Sequence, residues 1–267
     1  MERKARDGPG GEASAAAPAV RHAFMNGRRS GSAGDRTPSL SLLLIVMLIL
    51  FGSMTAHAET TLTVVALGDS TTAGTPQFRS PVEVPPEGKG DERSQYAYWL
   101  MKIHPEWRVF NRGVNGERSD EILSRFDRDV LPFHPQVVIV LAGINDLYQG
   151  FPADYVKKKL AAIYERAQKR GIRIMACTIL PYNGMSPSIR ARMRDVNGWI
   201  CSTAEEKGFG FCDLFHAVED PKKRWHLIGS PDGLHPDVDG YRRMGEALIG
   251  PLEKLAAAPV SPKGISR

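Results

Sequence analysis

Five short apolar or β-branched runs, separated by stretches with helical spacing, constrain this chain more than any other feature. Leu62–Leu67, Val109–Asn111, Val137–Leu141 and Ile172–Thr178 read as buried strands, with Gly210–Asp213 a shorter fifth. Between and after them lie helical patterns at Gln95–Ile103, Ser119–Val130, Ala153–Arg170, Ser188–Lys207 and Asp237–Leu255. Their boundaries carry the expected chemistry. Ser119 is followed by Asp-Glu, Pro152 opens a first turn, and Gly171 and Gly208 stand where helices stop. Strands that alternate with helices are joined by crossovers, which makes them parallel neighbours. The expectation is therefore α/β, with a five-stranded parallel sheet covered by helices on both faces. Thr75–Arg93 interrupts the rhythm with four prolines and two glycines. It reads as a long loop or insertion, either a lid or binding loop or a solvated excursion.

The N-terminal part has a different composition. Residues 1–37 are rich in Arg, Gly, Ala and Ser, with too little apolar surface to offset the entropy of ordering. The apolar run Leu40–Phe51 follows, and then Ala56-His-Ala58. Basic residues, a short apolar run and an Ala-x-Ala site are the three parts of a secretory signal peptide. A spanning helix wants about 20 apolar residues, more than this run supplies. Residues 1–58 are thus expected to be a disordered basic leader and signal peptide, with cleavage near Ala58 and a possible true start at Met25. The expected location is periplasmic or extracellular, with membrane anchoring if the leader is kept. Arg28-Arg29 is followed by Ser-Gly-Ser rather than an apolar stretch, which favours a general secretory route over a twin-arginine one.

Residues 59–267 suffice for one domain with a full core. The chain holds 35 Lys+Arg against 30 Asp+Glu, and 7 of the basic and 4 of the acidic residues lie in 1–58. The excess of positive charge in the remainder is small, so the alkaline isoelectric point is no argument for nucleic acid. Three cysteines, Cys177, Cys201 and Cys212, are too few for a disulfide framework, and no spacing among them suggests a metal. In an oxidising compartment Cys201 and Cys212 are candidates to pair.

In open parallel sheets, functional residues gather beyond the carboxyl ends of the strands. There the chain places Gly68-Asp-Ser70, Asn111-Arg-Gly-Val-Asn-Gly116, Ala142-Gly-Ile-Asn-Asp146, Leu180-Pro-Tyr182 and Asp232-Gly-Leu-His235-Pro236. Acyl transfer needs this set of residue types. A serine hydroxyl is a weak nucleophile until a base takes its proton, and His235 can be that base with Asp232 orienting it. Backbone N–H groups of Ser70 and Gly116 and the side-chain amide of Asn145 could face a developing oxyanion. Taken alone, Ser70 would be read as a helix cap. Tyr148, Phe151, Tyr182 and Met185 stand in loops near the same rim, as substrate-binding residues or as loop packing. Asp146, Asp237 and Asp239 read as helix-start or surface carboxylates.

These blocks resemble the SGNH hydrolases, also called GDSL esterases and lipases. Gly68-Asp69-Ser70 with Thr72-Ala73-Gly74 resembles that family's first block, and Asn115-Gly116-Glu117-Arg118-Ser119 its second. Gly143-Ile144-Asn145-Asp146 resembles the third, and Asp232-Gly233-Leu234-His235-Pro236 the last. The resemblance implies a three-layer α/β/α flavodoxin-like fold, a Ser70–His235–Asp232 triad, and Ser70, Gly116 and Asn145 as oxyanion donors. It also implies no metal and no organic cofactor. Thr71 departs from the apolar residue more usual there. Gly113 shares the second block with Gly116, whose Gly-x-x-Ser spacing matches better. The G-x-S-x-G elbow of α/β-hydrolases is absent from this site.

The expected function is an exported serine esterase that cleaves carboxylic esters through an acyl-enzyme, lysophospholipase/lipase-like or carbohydrate O-acetylesterase-like. The expected partner is a small-molecule, lipid or polysaccharide acyl ester, with no nucleic acid and no stable membrane span in the mature form. The alternatives are a non-catalytic carbohydrate- or envelope-binding module on the same fold and an O-acyltransferase.

Overall fold

Strand β1 (Thr63–Gly68) lies inside a five-stranded sheet, paired on one side with β4 (Arg108–Gly113) and on the other with β5 (Val137–Leu141). The computed structural model describes residues 61–258, so the expected leader, cleavage site and alternative start lie outside the described residues. Strands β6 (Arg173–Cys177) and β7 (Gly210–Cys212) complete a fully parallel sheet of order β4-β1-β5-β6-β7. Counted along the sheet strands this is 2-1-3-4-5, the flavodoxin-like order, which has its switch point between the first and third strands. The register pairs Gly68 with Gly113 and Leu141, so three loops leave the sheet side by side.

Both faces of the sheet are buried, and strand periodicity sorts the side chains between them. Val65, Leu67, Val138, Val140 and Ile174 point into one apolar cluster, whereas Val64, Ala66, Val137, Ile139 and Met175 point into the other. Helices α3 (Ser119–Ser124), α4 (Phe126–Val130), α6 (Ala153–Lys169) and α7 (Pro187–Lys207) cover the first face. Helices α2 (Tyr96–Ile103) and α9 (Val238–Ala257) cover the second. Each fully buried Val, Leu or Ile contributes on the order of 1.5–3 kcal/mol relative to exposure. That is why the apolar runs become central strands. The expected punctuation holds as well. Pro152 precedes α6, and Gly208 caps α7 in the left-handed region with φ 67°.

Several sequence expectations are corrected. The helix expected over Ser119–Val130 breaks at Arg125 (φ −96°, ψ 5°), whose buried guanidinium turns in toward the sheet end. Two short helices, α1 (Ser70–Ala73) and α5 (Ile144–Tyr148), form where Ser70 and Asp146 pointed to helix starts, and a third, α8 (Leu214–Val218), was not anticipated. The 75–93 segment is largely exposed but anchored. It forms a hairpin of β2 (Phe78–Arg79) and β3 (Lys89–Gly90), buries Phe78 and seats the buried Ser80, whose hydroxyl donates to the Gly113 carbonyl. Cys177, Cys201 and Cys212 are all free thiols. Cys201 is exposed and Cys212 buried, so the pairing left open by the sequence is not made. Among the described residues no helix is long and apolar enough to cross a membrane.

Candidate active site

At the end of β1 the chain must turn into α1 within a crowded space. A Cβ on Gly68 would lie 2.4 Å from the Leu141 carbonyl and 2.2 Å from the Thr72 hydroxyl, so close approach requires glycine there. The helix cap is Asp69, whose Oδ1 accepts the Thr71 N–H at 3.0 Å, and Gly74 ends the turn at φ 108°. Ser70 is therefore the first residue of α1 and not its cap. Its hydroxyl is left for another partner.

That partner is His235. Its Nε2 lies 2.9 Å from Ser70 Oγ, and its Nδ1 lies 2.7 Å from Asp232 Oδ2. Asp232 Oδ1 accepts the backbone N–H groups of Leu234 and His235, which locks the short turn that carries the imidazole. Burial alone would raise the Asp232 carboxyl, but these hydrogen bonds outweigh it and hold the group below the ordinary carboxylate range. It stays ionised beside the ring. Ser70 is 4% exposed and opens onto a cleft of about 190 Å³.

The other two loops reach the same cleft through Asn115 and Asn145, whereas Gly116 is exposed and does not itself line it. Gly116 has φ 79°, a conformation that favours glycine. No protein acceptor takes its N–H among the described residues. Gly113 differs, because its N–H donates to Asn111 Oδ1 at 2.9 Å and is spent. Asn145 lines the cleft and donates one amide hydrogen to the Glu117 carbonyl at 2.8 Å, which leaves the second amide hydrogen. The arrangement offers a hydroxyl on an imidazole–carboxylate relay, with unspent N–H donors from neighbouring loops. This is the equipment of nucleophilic acyl transfer.

Not every expected residue joins the site. Tyr148 and Tyr182 line the cleft, with ring centroids 5.9 Å apart. Phe151 does not. After Gly150 (φ 94°) the chain turns away, and the Phe151 ring stacks on Tyr155 with the Arg118 guanidinium above it. Met185 is buried in the core. Asp146 starts a helix as expected but is fully buried, not a surface carboxylate, and accepts both the N–H and the hydroxyl of Ser119. The cleft's apolar wall of Leu141, Ile144, Ile179 and Leu180 was missed, because in sequence these residues are ordinary strand ends and loop residues. No residue of 75–93 lines the cleft, so the lid reading of that segment finds no support.

The Asp-x-x-His spacing does not by itself single out His235. Asp213-Leu-Phe-His216 repeats it, and His216 Nδ1 lies 2.6 Å from Asp213 Oδ2. This second pair faces a different hollow, beside α7 and Trp225. What distinguishes His235 is the hydroxyl on its far nitrogen.

The chain matches the GDSL-like Lipase/Acylhydrolase family over residues 66–243. It is 25% identical to an acetylxylan esterase of Geobacillus stearothermophilus over 165 residues, 56% of this chain and 75% of that protein. It is 23% identical to an arylesterase of Vibrio mimicus over 216 residues, 80% of this chain and 99% of that protein. Among solved structures, a protein of the lipolytic G-D-S-L family from Desulfitobacterium hafniense superposes with a TM-score of 0.60 at 26% identity. That superposition covers 72% of this chain and 99% of the other.

Proposed function

The chain belongs to the GDSL-like lipase/acylhydrolase family and is an ester-bond hydrolase, and on that premise we propose that it is an exported serine esterase with Ser70 as nucleophile. The observation that carries this reading is the unbroken hydrogen-bonded run from Asp232 through His235 to Ser70 at the foot of an apolar cleft. Ser70 Oγ attacks the ester carbonyl while His235 Nε2 takes its proton. Charge moves onto the carbonyl oxygen, where the Ser70 and Gly116 N–H groups and the Asn145 amide receive it. The imidazolium returns its proton to the departing alcohol. Water then attacks the acyl-enzyme by the same route in reverse. Asp232, held ionised, stabilises the imidazolium in both halves.

The acyl group lies against Leu141, Ile144, Ile179 and Leu180, and the alcohol faces the mouth, where Tyr148 is 61% exposed beside Leu234. A cleft of about 190 Å³ favours short acyl chains over long lipids. Relatives named acetylxylan esterase and arylesterase support a small acyl group on a sugar or aryl alcohol. A fluorophosphonate probe is expected to label Ser70 in the wild type and to leave Ser70→Ala unlabelled; a folded wild type that resists labelling would refute the nucleophile. Across nitrophenyl esters from acetate to palmitate, kcat/KM is expected to peak at the short end. A maximum at palmitate would overturn the substrate reading.

Export rests on the basic leader, apolar run and Ala-x-Ala site of residues 1–58. N-terminal sequencing of the mature protein is expected to begin at Glu59, outside the cytoplasm. Full-length protein held in the membrane fraction would contradict it.

A further inference from the structure

Among the described residues, a Cβ built on Gly116 meets no atom within 4 Å, so no side-chain packing at that position aims its N–H. The residues on either side of it are held instead. The Asn115 N–H donates to Glu83 Oε1 at 3.0 Å, and Glu83 Oε2 in turn accepts the Ser80 N–H at 3.0 Å. Ser80 is fully buried and its hydroxyl is fastened to the Gly113 carbonyl, so the carboxylate stands on a rigid base. On the other side, the Glu117 carboxylate accepts from Arg125 Nε. That guanidinium, 4% exposed, also donates to the carbonyls of Gly68 at 2.8 Å and Arg112 at 2.9 Å and to Asp129 at 2.8 Å. Gly68 immediately precedes Asp69-Ser70. Arg125 therefore gauges the Gly116 loop against the strand that carries the nucleophile. The Glu117 carbonyl accepts the Asn145 amide as well, so displacing Glu117 disturbs two of the three oxyanion donors.

We propose that Glu83, from the insertion at 75–93, and Arg125, acting through Glu117, are positioning residues that hold the Gly116 N–H toward the oxyanion from the two sides of its loop. The proposal rests on the reading of Ser70 as nucleophile. It also gives the insertion a task, as a brace under the oxyanion loop instead of a lid. An N–H donor misplaced by about 1 Å loses much of its transition-state stabilisation without changing ground-state binding to the same extent.

The test uses the whole mature protein with short-chain nitrophenyl esters, and kcat is expressed per site titrated by fluorophosphonate. Glu83→Ala and Glu117→Ala are expected to lower kcat about tenfold or more, with KM changed by less than about threefold. Glu83→Gln keeps an acceptor for the Asn115 N–H and is expected to recover most of the loss. Arg125 itself is left intact, because its replacement would remove one buried donor shared by Glu117, Asp129 and the Gly68 and Arg112 carbonyls. A purely structural brace would lower the melting temperature while leaving kcat per titrated site unchanged in both alanine variants. That result overturns the proposal. If one variant fails to fold, the other alone carries the same two outcomes. A wild type that cannot be titrated at all would overturn the reading of Ser70 instead, so the two failures are distinguishable.

Discussion

Asp69 shows how much one residue of the site carries beyond its place in a motif. It caps α1 through Thr71 and is fully enclosed, and burial, reinforced by the nearby Asp146 charge, pushes its carboxyl up to about 7 against hydrogen bonds that pull it down. The unfolded chain releases this proton near 3.8, whereas the folded chain keeps it until about 7. The native state then holds the extra proton, so Asp69's contribution to stability is greatest below the unfolded value. It is lost as the pH rises through that window, by an amount on the order of 4 kcal/mol. Asp69→Asn keeps an acceptor for Thr71 and removes the titration. Urea denaturation between pH 4 and 7 is expected to show a flatter dependence of stability on pH in this variant. A wild-type slope in Asp69→Asn would contradict the assignment.

At the scale of elements, two glycines of one loop do different work. Gly113 ends β4 against α1, where a Cβ would lie 2.1 Å from the Ala73 nitrogen, a backbone atom that cannot step aside. Gly116 has open space around it and needs glycine only for its positive φ. Gly113→Ala is therefore expected to cost more than the ~1–3 kcal/mol typical of an overpacked core, and Gly116→Ala about 1–2 kcal/mol. Thermal unfolding of the two variants would reveal the order, and a larger loss at Gly116 would show that the packing argument is mistaken. The joint between α3 and α4 follows the same logic. Ser119–Val130 has helical spacing throughout, and spacing cannot reveal that Arg125 has buried carbonyls to satisfy. The insertion misled for a related reason. Prolines and glycines announce irregular backbone, but they do not say whether it floats or is pinned by Ser80 and Glu83.

For the whole molecule, the test of assembly is the pair of Asp-x-x-His turns. Both make a short hydrogen bond between carboxylate and Nδ1, yet only Asp232–His235 is delivered to Ser70. His216→Ala is expected to keep esterase turnover within about twofold. His235→Ala is expected to lose several orders of magnitude, as removal of an activating base does. Equal losses in steady-state assays would mean that the second pair shares in the chemistry.

The sequence by itself determined the five parallel strands, their order of appearance, most helix ends, and the residues that stand beyond β1, β4 and β5. These follow from side-chain period and cap chemistry, which act over a few neighbouring residues, and from the crossover rule, which links successive strands. It also carried the family resemblance, because the motif blocks lie within those strand-end loops. Only the tertiary structure decided which histidine reaches Ser70, which glycine keeps an unspent N–H, that Asp69 rather than Ser70 is the cap, and which side chains hold the residues flanking Gly116. The deciding hydrogen bonds join residues 165 positions apart for His235 and Ser70, 57 for Arg125 and Gly68, and 32 for Asn115 and Glu83. Local pattern carries no information about partners at such separations. They are set by how the sheet and its two helical layers close around an apolar core on each face.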